Sequence, residues 1–175
     1  MRQEVSWGYC DSVDKQKFYS KLARNETIAF TPGGVQEVAM MDPSKPDEIV
    51  LCLKNRKGFV KIALSNGTPI VPTFSFNLDG CYGYWVPKGE IMLKIGRVIG
   101  FMPMIFWGRF GIPFGIPYPQ KIHLVIGKPI QLPKEPSASD ESIEKYHSIY
   151  LKELEKLFDR HKVEAGYGHR ILKIV

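Results

Sequence analysis

The feature that most constrains this chain is one long amphipathic run near its C-terminal end. Ile143, Tyr146, Tyr150, Leu154, Leu157 and Phe158 recur largely at steps of three and four, the spacing that places side chains on one face of an α-helix. The pattern predicts a helix over residues 139–162. Asp140 and Glu141 fall in its first turn, where the helix dipole favours negative charge, and Gly166 follows its end. A helix with a single apolar stripe must bury it against another layer. Short apolar runs of strand length supply that layer: Thr27–Thr31, Ile49–Leu53, Ile70–Phe76 and Ile122–Gly127. Two further segments read as helices. SVDKQKFYSKLARNE begins with Ser12 as N-cap and sets Val13, Phe18 and Leu22 roughly on one side. RKGFVKIALSNG runs from about Arg56 to a stop at Asn66-Gly67. Strands separated by helices predict an α/β layered structure in one domain over residues 1–175.

With 44% hydrophobic and 24% charged residues, global disorder is excluded. The net charge of +6 suits an anionic partner, whether nucleic acid, an acidic membrane surface or a phosphorylated small molecule. Cys10, Cys52 and Cys81 form no Cys-x-x-Cys pair, which favours a reducing compartment and no structural zinc. The opening MRQEVSWGYC has no apolar core of a signal peptide. A spanning helix needs about 20 apolar residues, and the nearest candidate, Ile99 to Pro119, is broken by prolines, glycines and Arg109.

Four pieces in order carry the functional signal. In FTPGGVQE, a strand ends at Pro32-Gly33-Gly34, with Val35 next and Glu37 close behind. A diglycine turn leaves backbone N–H groups free to form a nest for an anion or a developing oxyanion, and a nearby carboxylate can orient a histidine or hold a hydroxyl. A plain tight turn followed by a capping glutamate fits the same residues. In KNRKGFVKIAL, Lys54, Lys57 and Lys61 share a face if the helix begins early, and Arg56 offers a fork suited to phosphate. Phe59, Ile62, Ala63 and Leu64 make the buried side. A solvated basic face is the competing reading. In TPIVPTFSF, Val71, Phe74 and Phe76 are core. The fourth piece, FWGRFG, lies in a run holding Phe101, Met102, Met104, Ile105, Phe106, Trp107 and Phe110, too apolar for an ordinary exposed loop. An acyl-chain groove, a bilayer interface and a loop-rich core all fit it. The histidines His123, His147, His161 and His169 lack catalytic or metal-ligand spacing and read as structural or solvated.

Taken together, these pieces resemble the family of type-2 diacylglycerol acyltransferases, monoacylglycerol acyltransferases and wax synthases. PGGVQE resembles its Pro-Gly-Gly-x-x-Glu motif, and RKGFVKIAL its Arg-x-Gly-Phe-x-Lys-x-Ala-Leu block. PIVPTFSF, IGFMPMIFWGRFG, and IGKPIQLP with the helix carrying KYHSIYLKELEKLFDRHK resemble later family segments. The resemblance implies a glycerolipid-acyltransferase-like layered sheet with flanking helices, N-terminally incomplete. It implies transfer of an acyl group from acyl-CoA, as co-substrate with no bound cofactor or metal, to the hydroxyl of a mono- or diacylglycerol or a long-chain alcohol. Glu37 is then the catalytic candidate, Pro32, Gly33, Gly34 and Val35 line the substrate pocket, and Arg56, Lys57 and Lys61 hold the cofactor phosphates. A membrane surface at the endoplasmic reticulum or a lipid droplet is the implied partner, homo-oligomerisation is compatible, and nucleic acid is not expected. The sequence contains no His-Pro-His-Gly, the family's catalytic motif, so the resemblance implies a poorly active form. Glu37 is followed by Val38 where phosphate-binding relatives carry Glu-Gly-Thr-Arg, which suits a neutral acceptor. Two other readings remain. A non-catalytic lipid- or membrane-binding module would bind liposomes through Phe106 and Trp107. A basic nucleic-acid-binding domain would interleave aromatics with its cations, and here the aromatics lie in apolar runs.

Overall fold

The fold is a computed structural model that describes residues 14–33, 37, 45, 47–85, 105–113 and 115–175. The first helix, α1, spans Lys15–Ala23. Its N-cap is Asp14, whose carboxylate accepts from Gln16 N–H at 3.3 Å. Ser12 and Val13, expected to begin this helix, lie outside the described residues. Residues 27–31, expected as a strand, are not one. Ile28 and Phe30 are half-buried while Thr27, Ala29 and Thr31 are exposed, so the segment keeps a two-residue alternation without a described ladder. Phe30 is held instead by rings, 5.2 Å from Phe18 of α1 and 5.7 Å from Phe59.

The next elements follow the sequence in type and order, but the strand expected over Ile70–Phe76 is shorter and Val71, expected in the core, is 39% exposed. Strand β1 is Glu48–Leu51 and helix α2 is Gly58–Asn66. Gly67 ends α2 at φ 68°, a left-handed conformation that glycine adopts without strain. Because α2 begins at Gly58, Lys54 is not part of it; its backbone N–H donates to Val175 O at 2.9 Å. The buried side of α2 is Val60, Ala63 and Leu64, with Phe59 and Ile62 only half-buried. Strand β2 is Thr73–Phe76, β3 is Gly83–Trp85 and β4 is Ile105–Trp107. A 3₁₀ turn at Arg109–Gly111 precedes β5, His123–Ile126. The long helix α3 spans Asp140–His161, and β6 is Ile171–Ile174. The hairpin strands β3 and β4 and the terminal β6 were not expected.

The architecture is mixed α/β, but the described strands pair in twos rather than in one continuous sheet. β1 and β6 are parallel, β2 and β5 antiparallel, and β3 and β4 antiparallel. Helix α3 unites two of these pairs. Ser139 Oγ accepts from Ser142 N–H at 3.1 Å and starts it. Its stripe buries Ile143, His147, Tyr150, Leu154, Leu157 and Phe158. Leu154, Leu157 and Phe158 lie in one cluster with Ile49 of β1, Phe74 and Phe76 of β2, and Val125 of β5. Phe158 sits 5.1 Å from the ring of Phe74 and 5.5 Å from that of Phe76. Ile143 joins Val60 and Leu64 of α2 in a second cluster with Leu132. Each such fully buried aliphatic or phenyl side chain contributes about 1.5–3 kcal/mol, so α3 is the main brace of the described fold.

Candidate functional site

The site forms at the carboxyl end of β1. Asp47 O and Leu51 O accept from Ile171 N–H and Val175 N–H, at 2.8 and 2.9 Å. Odd-numbered residues of β1 therefore turn their polar groups toward β6, and even-numbered residues toward the opposite edge. Cys52, just past the strand, lies on that opposite edge. Its N–H donates to Glu37 Oε1 at 3.1 Å. The Glu37 carboxylate thus stands where a neighbouring strand would offer a carbonyl. Gly33 packs directly on it: a Cβ there would lie 1.6 Å from Glu37 Oε1. Glu37 is half-buried, and burial raises its pKa; the Cys52 N–H and the charge of Arg56 oppose the rise. Burial, and then the charge of Glu37, push the Tyr150 phenol of α3 up as well.

Four residues past Cys52 the chain turns into α2. Arg56 and Lys57 precede the helix, and the side chain of Lys57, at the N-cap, makes no capping hydrogen bond. The first N–H groups of a helix have no intrahelical acceptor. Gly58 opens the helix with nothing within 4 Å of where a Cβ would sit, so no internal packing calls for glycine there. Lys57 Nζ bonds to Glu144 of α3, and that bond is the main reason the Glu144 carboxyl titrates below its usual range. One turn of α3 further, His147 is 2% exposed and its Nε2 lies 3.0 Å from Leu53 O. Burial holds its pKa below the ordinary histidine value, against the Leu53 hydrogen bond. Lys61 is exposed on α2, its N–H donating to Lys57 O at 3.2 Å.

Of the residues singled out from sequence, Gly33, Glu37 and Arg56 come together at this strand end, with Pro32 half-buried beside Gly33. Gly34 and Val35 lie outside the described residues. Lys57 is turned to α3. The sequence reading did not single out Cys52 N–H or Tyr150. Nor did it foresee a second polar cluster, in which Tyr167 OH and Arg170 both donate to Asp79 and Asn77 N–H donates to Tyr167 OH at 2.9 Å. Gly166 before Tyr167 was the sole local signal there. Among the described residues, no group of three or more His, Cys, Asp or Glu could hold a metal.

The apolar FWGRFG region is partly packed and partly exposed. Phe106 packs on Tyr82 at 5.3 Å, and Trp107 lies over Gly83, where a Cβ would meet its indole Nε1 at 2.5 Å. Gly108 is buried against Ile116, whose carbonyl oxygen would be 1.9 Å from a Cβ. The exposed apolar groups are others: Phe110 at 82%, with Ile112, Ile116, Trp85 and Ile105 around half or more exposed. Phe110 is also left-handed, at φ 66°, and Arg109 lies 5.5 Å from its ring centre.

These features define an α/β protein whose strand end, closed by a carboxylate, adjoins an uncapped basic helix start. Residues 2–172 match the family described as Diacylglycerol acyltransferase, and the chain belongs to that family. It is 36% identical over 183 residues to Diacylglycerol O-acyltransferase 2 of Mus musculus, covering 93% of this chain and 44% of the mouse protein. The enzyme of the same name from Dictyostelium discoideum is 41% identical over 145 residues, covering 78% of this chain and 43% of that protein. Human 2-acylglycerol O-acyltransferase 3 is 32% identical over 180 residues, covering 93% of this chain and 50% of that protein. The chain therefore spans about half the length of the curated relatives it matches. No solved structure matches it.

Proposed function

We propose that this chain forms the acyl-CoA-binding side of an O-acyltransferase acting on a neutral lipid hydroxyl, that of a mono- or diacylglycerol or a long-chain alcohol. The observation that carries this reading is the start of α2. Helix-start N–H groups that the Lys57 side chain does not cap, the preceding Arg56 and, among the described residues, the open space over Gly58 together suit a phosphate approaching the backbone closely. Lys61 adds charge on the same helix, and the Lys57 ammonium, paired with Glu144, would contribute only on leaving that partner. Pro32 and Gly33, with Glu37 beside them, would face the thioester and acceptor; Gly34 and Val35 are assigned to the same pocket from the sequence. There, attack of the hydroxyl oxygen forms an oxyanion, and its collapse releases the CoA thiolate. The neutral acceptor follows from the absence of a phosphate-binding arginine: Glu37 is followed by Val38, Ala39 and Met40 where phosphate-binding relatives carry Gly-Thr-Arg.

None of the four histidines is offered to this pocket. His147 is engaged with Leu53 O, His123 lies in β5 against Phe76, and His161 and His169 lie near Glu164 and Asp47. The base would come from the family's His-Pro-His-Gly motif, which these 175 residues do not contain. The reading therefore expects the chain to retain labelled oleoyl-CoA in equilibrium dialysis, with little transfer to dioleoylglycerol by thin-layer chromatography. Absence of binding would refute it, and robust turnover would refute the poorly active form.

A second reading, a non-catalytic lipid-surface module, is favoured by Phe110, exposed, left-handed and paired with Arg109. Among the described residues no helix is long and apolar enough to cross a membrane. A surface contact at the endoplasmic reticulum or a lipid droplet is the location that fits either reading. The second reading expects liposome flotation that Phe110→Ser abolishes, without acyl-CoA retention.

A further inference from the structure

We infer that Glu37 is a positioning residue: its carboxylate straps the backbone at Gly33 to the end of β1 and so fixes it relative to the basic start of α2. This inference rests on the α2 start being the phosphate site, and it assigns Glu37 a role through the loop it holds rather than contact with the reacting atoms.

Three observations converge on the carboxylate. Oε1 accepts from Cys52 N–H at 3.1 Å, on the edge of β1 that β6 does not occupy. Gly33 lies flat against it, with an added Cβ falling 1.6, 2.1 and 2.7 Å from Oε1, Cδ and Oε2. Any side chain at position 33 would displace the carboxylate. Arg56, on the same loop as Cys52, acts on it electrostatically. One carboxylate is therefore enclosed between two backbone segments distant in sequence. Oε1 already accepts a backbone proton and Gly33 packs on the group, so the carboxylate is held by the protein's own backbone. In turn it sets where residues 52–57 sit. That loop leads directly into the uncapped N–H groups of α2, so a shift at Cys52 becomes a shift of the anion-binding backbone.

The test separates acceptor from charge. Glutamine offers an amide oxygen at the same reach and keeps the Cys52 hydrogen bond without the charge; alanine removes both. Affinity for oleoyl-CoA is measured by titration, and amide exchange is followed at Cys52 and through residues 53–57. The expected result is that Glu37→Ala weakens oleoyl-CoA binding about tenfold or more and exposes the Cys52 amide to exchange, while Glu37→Gln stays within about threefold on binding and keeps the amide protected. If Glu37→Ala does not fold, Gly33→Ala displaces the carboxylate by a different route and is expected to reproduce the same two losses. Equal losses in Glu37→Gln and Glu37→Ala would overturn the inference in favour of a role for the charge. Unchanged binding in an alanine variant whose Cys52 amide has become exposed would overturn it too. If the unsubstituted protein binds no oleoyl-CoA, the proposed function fails. The strap is then decided by exchange alone: faster exchange across residues 52–57 in Glu37→Ala supports it, and unchanged exchange refutes it.

Discussion

The end of β1 and the region around β4 follow opposite rules. At the end of β1 the protein satisfies its groups internally. Cys52 N–H, Leu53 O and Lys57 each have a partner on another element, in Glu37, His147 and Glu144. Around β4, Trp107 and Gly108 are packed with little tolerance, yet the turn they support presents Phe110, Ile112 and Ile116 to solvent. Each region contains one residue that the chain's own packing does not explain. No described residue approaches the place of a Cβ on Gly58, and Phe110 adopts a left-handed conformation while exposed. The first suits a small anion reaching the backbone, and the second an apolar surface meeting a side chain. On the proposed function, phosphate recognition falls to the inner region and lipid contact to the outer one.

The largest effect that could break this comparison is loss of the core that holds the inner region. Phe158 is 1% exposed and touches both Phe74 and Phe76. Phe158→Ala is expected to cost about 3–5 kcal/mol in urea unfolding; a cost well below that would mean the α3 stripe is not the brace described.

Next comes the Asp79 cluster, which ties the end of β2 to the segment after α3. Burial works to raise the Asp79 pKa, but hydrogen bonds from Tyr167 and Arg170, and the Arg170 charge, outweigh it and hold the carboxyl below its ordinary value. The Tyr167 phenol, buried and bonded to Asp79, is pushed up to about 12. Asp79→Asn is expected to cost about 1 kcal/mol at neutral pH, a modest figure because part of the side chain faces water. A depressed folded pKa gives stability above the unfolded value that is lost as pH falls through the folded one. The variant and the unsubstituted protein should therefore converge in stability below the ordinary aspartate value of 3.8. A constant gap down to strongly acid pH would exclude the carboxylate as the cause.

Gly58→Ala sharpens the contrast. Alanine favours helix over glycine by up to about 1 kcal/mol, so thermal stability should rise slightly while oleoyl-CoA affinity falls. If both rise, the space over Gly58 is not used. The smallest expected effect is in the outer region: Phe110→Ser should change stability by less than about 0.5 kcal/mol while lowering liposome flotation. A large loss of stability would place Phe110 in the fold rather than on its surface.

What the sequence disclosed, and what it hid, follows from how local each cause is. The α3 stripe, its Ser139 start and the Gly67 stop of α2 depend on residues within a turn of one another, and all appear as read. His147 was within reach as a buried group, because it lies four residues after Ile143 and three before Tyr150 on the same stripe. The strands β3, β4 and β6 are three or four residues each and exist through partners far along the chain, so no short-range pattern marks them. Thr27–Thr31 fails for the converse reason: its alternation is right, but Phe30 is fixed by rings. The basic block and the diglycine turn were legible as separate pieces. They were expected to share one site, but the link between them was not foreseen, because it runs from a side chain to the backbone N–H of Cys52, a donor every residue but proline carries.

The assignment of phosphate recognition to the inner region is tested most directly by two arginines. Oleoyl-CoA is titrated into the unsubstituted protein, Arg56→Ala and Arg109→Ala under one salt condition. The account predicts that Arg56→Ala weakens binding about tenfold or more, the scale of a lost charge-assisted hydrogen bond, and that Arg109→Ala leaves it within about twofold. Equal weakening by both, or weakening by Arg109→Ala alone, would contradict it.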